Sequence, residues 1–399
     1  MTTPSSGPQN GSPRQPVAIV GTGAVTGYGW GRKLLWDGLY SGQSADRLIP
    51  GFSPVFDDDW GWAAAIEDGG DPADGPSRFT RAARAAAREA VHDAYDRGWR
   101  PGPVVGLVQG QSVGDVDLWS SFLRSQPEDI TPRQWLGAMP STVIMEIMRE
   151  FGFHGPTMAV TAMCASGLAA MITGKVWINA GICSDVLVMA TDVSLAPENC
   201  KAVVLLGPGV VDRPSLEVCR PFQEGSRGFV GGEASIAMVL SHAEQSSYAE
   251  VLGGAMTHEA YHAVAIPPDA PQVRAAMAGA IANAGLRPSD IAYLNAYGNG
   301  NKMSDDVEAM VFDELLTDAD GLFAVKPLVG HCMGAAAAVE TMASLFAFQT
   351  GVIPAPPRQG PSHPKLLDGP TACVEGPVLK TAFGFGGHNA AVVLGAGRN

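Results

Sequence analysis

Short, continuous apolar runs alternate along the chain with longer segments that carry small residues at helical spacing. Residues 17–20 (V-A-I-V) read as a buried strand. G-T-G-A-V-T-G-Y-G follows, and Gly21, Gly23 and Gly27 suit a tight turn that packs strand against helix. Residues 78–96 are alanine-rich, with Ala82, Ala85, Ala86 and Val91 on a core-facing side. The pattern predicts a strand over 103–108 and mostly helix over 131–151. Met158, Ala159 and Val160 end an apolar run at Thr161, and a small-residue helix starts at or near Cys164. Strands are predicted over 185–189 and 231–240, the second with Glu233 in it. A buried carboxylate is costly without partners, so Glu233 reads as the anchor of a hydrogen-bond network.

The second half repeats the plan. A helix over 270–284 precedes a strand over 291–295, a polar loop to Asn301 and a helix over 305–316. P-L-V-G-H-C-M-G-A-A-A-A-V-E then runs from an extended segment into a second small-residue helix, which sets His331 where Cys164 stands in the first half. Two such halves face to face bring both side chains into one cleft. Residues 352–369 are proline-rich and read as an irregular surface connection. A glycine loop over 383–387 and a last buried strand close the pattern. The division predicted is a disordered tail over 1–15 and halves over 16–245 and 246–399.

Composition narrows the function classes. The 399 residues are 46% hydrophobic and 17% charged, the balance of a globular chain. A net charge of -14 argues against a general nucleic-acid binder. Arg81, Arg84 and Arg88 share one side of their helix, which reads as a solvated face, the alternative being a landing site for an acidic carrier protein. The six cysteines form no C-x-x-C pair, so neither a disulfide framework nor a zinc knuckle is predicted, and a reducing cytoplasm fits. The polar first residues lack the apolar core of a signal peptide, and no run of eighteen or more apolar residues predicts a membrane span. Gly21, Gly23 and Gly27 do not make a dinucleotide fingerprint, because the third glycine falls one residue late.

Cys164 carries the chemistry. A helix start presents unpaired N–H groups and the positive end of the dipole, which favour a thiolate. On that ground Cys164 is predicted to be an acidified nucleophile, against the alternative of a small buried core residue.

G-P-T-M-A-V-T-A-M-C-A-S-G around Cys164, H-E-A-Y-H-A-V-A-I-P from His258, N-A-Y-G-N-G-N from Asn295, K-P-L-V-G-H with Lys326 and His331, and F-G-F-G-G together resemble the β-ketoacyl synthases. The match runs over nearly the whole chain. It implies an α/β, thiolase-like, five-layered αβαβα fold built from two similar halves. It implies acyl transfer to Cys164 from an acyl carrier protein or coenzyme A thioester. A malonyl thioester then loses carbon dioxide, and its enolate attacks the acyl-cysteine. The resemblance makes His331 the histidine beside the malonyl carbonyl and Lys326 and Glu340 the charged pair that organises the site. It makes the N–H groups of Cys164 and Phe385 the oxyanion hole, and Phe383, Phe385 and Gly386 part of a gate. No metal or organic cofactor is implied, and the partners implied are the carrier and a second subunit, in a homodimer or heterodimer.

Departures fall around the reacting centre. Tyr297 stands where the family has its first catalytic histidine. A phenol with a pKa of about 10 donates one hydrogen bond but is a poor base at neutral pH. Asn299 and Asn301 replace threonines, Met163 precedes the nucleophile, and the loop from Arg220 to Phe229 has lost charged positions. His388 replaces a threonine, with a supporting hydrogen bond predicted. Three readings follow: a decarboxylating condensing enzyme, an acyltransferase that discharges Cys164 onto a hydroxyl, amine or other carbon nucleophile, and a non-catalytic partner subunit. The retained cysteine argues against the third.

Overall fold

The computed structural model describes residues 15–50, 60–242 and 246–398. The tail before Gln15 and the predicted division after residue 245 therefore lie outside the described residues. In the first half, strand β1 (Val17–Thr26) is followed by helix α1 (Arg78–Asp96), β2 (Val105–Gly110), helix α2 (Pro140–Phe151) and β3 (Thr157–Val160). Helix α3 (Ser166–Asn179), β4 (Asp185–Asp192) and β5 (Ala234–Ser241) complete it. The second half has β6 (Ala249–His258), α4 (Pro271–Asn283), β7 (Tyr293–Asn295), α5 (Lys302–Leu315) and β8 (Gly321–Phe323). It closes with α6 (Ala336–Thr350), β9 (Val378–Gly384) and β10 (His388–Ala396).

The strands form one eleven-stranded sheet in the order β8-β7-β9-β10-β6-β1-β5-β4-β2-β3, the eleventh being the two-residue Gly29–Trp30 beside β1. Each half contributes five strands in the same relative order, and the halves meet where β1 pairs antiparallel with β6, Val17 opposite Val251. Within each half the three outer strands are parallel and the next is antiparallel, the mark of a duplicated unit.

Three cores make the layers. The central one packs α3 and α6 between the halves, against Val186, Val188 and Ile236 on one side and Ala382, Ala390 and Val392 on the other. A second packs α1 and α2 on the outer face of the first half, and a third packs α4 and α5 on the outer face of the second. Helix, sheet, helix, sheet, helix is the five-layered arrangement that the sequence implies.

Four expectations change. Gly21 and Gly23 lie inside β1 rather than in a turn. A Cβ on them would stand 2.2 Å from the Ala90 carbonyl oxygen and 2.1 Å from that of Ala86. The glycines let the α1 backbone lie directly on the strand, the packing role predicted without the turn. Secondly, Glu233 precedes β5 instead of sitting in it. It does anchor a network, accepting from Ile66 N–H at 2.9 Å and Arg78 at 2.8 Å. Thirdly, the arginine face of α1 is not free. Arg81 pairs with Asp68 at 2.6 Å, Arg84 with Glu150 at 2.8 Å and Arg88 with Asp74 at 2.9 Å. The charge that would greet an acidic carrier is already neutralised. Lastly, the proline-rich connection starts with a short strand, Val352–Pro354, paired to Pro370–Ala372.

Candidate active site

The nucleophile candidate sits on a strained turn. Met163, with φ of +48°, turns the chain sharply out of β3, and a 3-10 turn (Met163–Ala165) leads into α3. Ser166 locks the turn, accepting from Ala162 N–H at 2.9 Å and donating to the Met163 carbonyl at 2.7 Å. Non-glycine residues at positive φ are costly and persist only where the surroundings impose them.

The same turn recurs in the second half at Met333–Ala335, with Met333 at φ +42°. Alignment of the two turns pairs Met163 with Met333 and Cys164 with Gly334. The counterpart of Cys164 is thus Gly334, and His331 lies three residues earlier on the approach. The predicted convergence on one cleft still holds, because both turns open toward the same central layer.

Around Cys164 the side chains form a directed network. His331 Nδ1 accepts from the Met333 N–H at 3.2 Å, which places the proton of a neutral ring on Nε2. That Nε2 is 3.3 Å from the Tyr297 hydroxyl. Asn299 Oδ1 accepts from Asn301 N–H at 3.0 Å and from the Ser304 hydroxyl at 2.7 Å, so its amide nitrogen points the other way. It donates to the same Tyr297 hydroxyl at 3.2 Å. With two donors aimed at its oxygen, Tyr297 has its own O–H left for the Cys164 thiolate, which that hydroxyl and the Phe385 backbone N–H both favour.

Charge is arranged behind this network. Lys326 and Glu340 form a fully buried ion pair, and the Lys326 ammonium also donates to the Tyr297 carbonyl and lies 4.1 Å from its ring centre. Glu308 receives the Tyr297 and Gly298 N–H groups at 2.9 and 3.0 Å. Burial, with Lys326 and Lys380 behind it, holds the His331 pKa well below the usual imidazole range, so the ring is a neutral donor at pH 7. Burial beside Cys164 keeps Tyr297 protonated.

The expected acidified thiol is not found. Burial pushes the Cys164 thiol up to about 11, outweighing the favourable Tyr297 hydroxyl, Lys326 and Phe385 N–H. Cys164 is 4% exposed, and desolvation of the anion exceeds what a helix start supplies. Its alkylation by iodoacetamide is therefore expected to quicken roughly tenfold per pH unit from neutrality upward, following the thiolate fraction. A rate already level near pH 7 would contradict this thiol environment.

Among the other predicted residues, Phe383 packs on Tyr297 with ring centres 5.3 Å apart. Gly386, at φ +86°, is at the exposed tip of the β9–β10 hairpin and donates to the Ala263 carbonyl at 2.6 Å. His388 stays outside the cluster. Its ring meets His258 edge-on at 5.2 Å instead of supporting Cys164. Lys380, Glu308, Asp305 and Asp192 were not singled out from the sequence. The signal for Lys380 and Asp192 was there, an ionisable residue inside an apolar strand, as with Glu233.

Two cavities meet here. One, of about 180 Å³, is lined by Cys164, Val203, Val204, Val210 and Phe229 and is almost wholly apolar. The other is smaller and of mixed lining, with Tyr297, Asn299, Asn301 and Ser304 beside Val264, Ile266 and Phe383. Phe385 borders both. An apolar sleeve thus lies at the sulfur, with a second, mixed cavity across Phe385 from it.

Comparison with known proteins agrees with this geometry. The model described as "Beta-ketoacyl synthase, N-terminal domain" matches residues 14–246, and that of the C-terminal domain matches residues 248–358. The chain belongs to the β-ketoacyl synthase family. The tetracenomycin polyketide synthase ketoacyl synthase alpha subunit of Streptomyces glaucescens is 28% identical, with 95% of this chain and 96% of the relative aligned. The 3-oxoacyl-[acyl-carrier-protein] synthase 2 of Staphylococcus aureus is 28% identical over 79% of this chain and 83% of its own. In fold, the ishigamide ketosynthase/chain length factor superposes with a TM-score of 0.84 at 24% identity, covering 96% of this chain and 99% of that one. A ketosynthase in complex with its chain length factor from Xenorhabdus doucetiae gives 0.82 at 22%, covering 97% and 100%. Among the described residues, no helix is long and apolar enough to cross a membrane, and no cluster of three or more His, Cys, Asp or Glu side chains is placed to hold a metal ion.

Proposed function

We propose that the protein is a condensing enzyme that loads an acyl group on Cys164 and extends it with a malonyl-type thioester, as in polyketide or fatty acid assembly. The observation that carries this reading is the convergence of two neutral donors, Tyr297 O–H and His331 Nε2–H, beside the buried sulfur. When Cys164 is acylated, the Tyr297 proton loses its thiol acceptor. The freed Tyr297 O–H then turns to the malonyl thioester carbonyl, and His331 Nε2–H, 3.3 Å from the same hydroxyl, transfers its hydrogen bond to that carbonyl as negative charge develops and carbon dioxide leaves. The enolate carbon attacks the acyl carbonyl, and the C–S bond to Cys164 breaks.

The duplicated turn supports the oxyanion hole. The Gly334 N–H, in the position that corresponds to Cys164, donates to the Asp192 carboxylate at 3.0 Å. The turn thus offers its N–H to an anion in the half without a nucleophile. In the first half the Cys164 N–H, with Phe385 N–H across from it, takes the transient oxyanion of the acyl thioester.

In loading, the Cys164 proton passes to the carrier thiol as the old thioester C–S bond breaks, so no side-chain base is consumed, and in extension Tyr297 does the work of a hydrogen-bond donor and not of a base. The acyltransferase reading needs a base to take a proton from the acceptor, and neutral His331 has its Nδ1 already engaged by Met333. Incubation with a short acyl thioester and a carboxyl-labelled malonyl thioester tests the choice. Labelled carbon dioxide released in step with a β-ketoacyl product is expected. An ester or amide formed with no carbon dioxide would overturn it.

A paired assembly completes the proposal. Strand β3 ends the sheet with its edge open and Met158 exposed, and Val113, Trp135, Leu136 and Met145 add exposed apolar surface from nearby segments. An open, apolar edge of this kind is a pairing surface for a second ketosynthase-like chain. Met158→Lys is expected to shift the protein from dimer to monomer in sedimentation velocity; an unchanged sedimentation coefficient would place the interface elsewhere.

A further inference from the structure

Lys380 lies in β9, wholly buried in a strand that is otherwise apolar or small. Its ammonium is 2.6 Å from the Glu340 carboxylate, whose other oxygen takes Lys326. It also donates to the carbonyls of Thr381 at 2.7 Å, Ala296 at 3.1 Å and Asn295 at 3.3 Å. Asn295 and Ala296 directly precede Tyr297, whose own carbonyl is held by Lys326. Three successive carbonyls are therefore clamped by two ammonium groups, while Glu308 clamps the N–H groups of Tyr297 and Gly298 from the other side.

We propose that Lys380 is a positioning residue, which aims Tyr297 at Cys164 and balances the buried carboxylates behind the site. This rests on Cys164 being the nucleophile. Two lysines, Lys326 and Lys380, stand against two carboxylates, Glu340 and Glu308. Without Lys380, one ammonium faces two carboxylates in a low-dielectric interior, and the site becomes less hospitable to a thiolate. The other titratable groups that face the cluster add no positive charge. Asp305 on α5 has its carboxyl pushed up to about 8 by burial and Glu308, so it is largely protonated at neutral pH. Asp192 on β4 is held by Ser112, Ser194 and Gly334, and Cys219 and Cys332 are buried thiols raised by desolvation. Burial lowers Lys380 itself to about 8 despite the Glu340 contact, so its charge is sensitive to loss of that partner.

The test is the pH dependence of Cys164 alkylation by iodoacetamide, followed at that residue by peptide mass mapping. This reads the thiol whatever the acyl chemistry is. Lys380→Met is expected to shift the profile below about pH 8, where the Lys380 ammonium is still charged, so that alkylation at pH 7 slows about tenfold. Lys380→Arg, which keeps the charge, should stay within about twofold of the unmodified protein. Should Lys380→Met not fold, Lys380→Gln, whose amide can still donate to the Ala296 carbonyl, is measured in the same way with the same expected shift. A Lys380→Met or Lys380→Gln profile that superimposes on the unmodified one, with only thermal stability lowered, would show a purely structural lysine and overturn the proposal. If the shift is found but no acyl adduct forms on Cys164 from any thioester, Lys380 stands and the nucleophile assignment falls.

Discussion

Cys164→Ala is expected to abolish the covalent acyl adduct and with it all condensation. The sulfur is the atom on which the apolar cavity, the Tyr297 hydroxyl and the Phe385 N–H converge. The five other cysteines have no such surroundings. Cys183, Cys200, Cys219 and Cys332 are buried and Cys373 is half-buried. Burial raises all five thiols, Cys332 and Cys219 further than Cys164, and none of the five has a hydroxyl directed at its sulfur. The substitution removes one sulfur from a packed turn, and its effect on stability should be small beside its effect on chemistry. Intact-mass measurement after incubation with an acyl thioester checks it. An adduct of equal extent on the variant would move the nucleophile elsewhere.

Tyr297→Phe carries the next largest effect. It keeps the ring, so the packing on Phe383 and the Lys326 ammonium above its face remain. It deletes only the O–H that bonds the sulfur and, after acylation, the malonyl carbonyl. Loss of one donor to a developing oxyanion costs roughly 2.7–4 kcal/mol, a hundred- to a thousandfold in rate. Decarboxylation measured under acyl-loaded conditions should fall by that factor. The thiol should also become harder to ionise, because one stabilising hydrogen bond to sulfur is gone. Equal rates of carbon dioxide release from the two proteins would take the tyrosine out of the reaction.

Much of this was legible in the residues because the turn and the ion pair are local. A small-residue helix that follows an apolar run and a cysteine announces the turn, and its repeat after His331 announces the duplication, although only the structure shows Gly334, not His331, to be the counterpart of Cys164. The layers follow from that repeat. What failed to show was everything decided by burial and by partners distant in sequence. Thiol acidity read from the helix start gave the wrong sign, since the desolvation of Cys164 depends on β9, β10 and α6 closing around its turn. Gly21 and Gly23 pointed to a turn because local rules do not know that α1 lies on β1. The arginines of α1 read as a solvated face until Asp68, Asp74 and Glu150 arrived from other segments to pair with them. Asn299 read as a lost threonine, and only the fixed donors on its carbonyl side, Asn301 N–H and the Ser304 hydroxyl, show its amide nitrogen to be an oriented donor to Tyr297.

In the proposed reaction the network accounts for a tyrosine at this place. A histidine there can be neutral or charged, whereas Tyr297, buried and with its pKa raised, has one protonation state over the working range. Its direction is set by two donors on its oxygen, and its backbone by Lys326, Lys380 and Glu308. Preorganisation of this kind lowers the reorganisation cost when charge develops, which is where such sites gain rate.

The most direct measurement is time-resolved intact-mass spectrometry of the protein loaded with a short acyl thioester and then given a malonyl-carrier protein. The account predicts that the Cys164 adduct decays as a β-ketoacyl-carrier appears with matching kinetics. An adduct that persists with the malonyl-carrier protein, and discharges only to an alcohol or an amine, would contradict it.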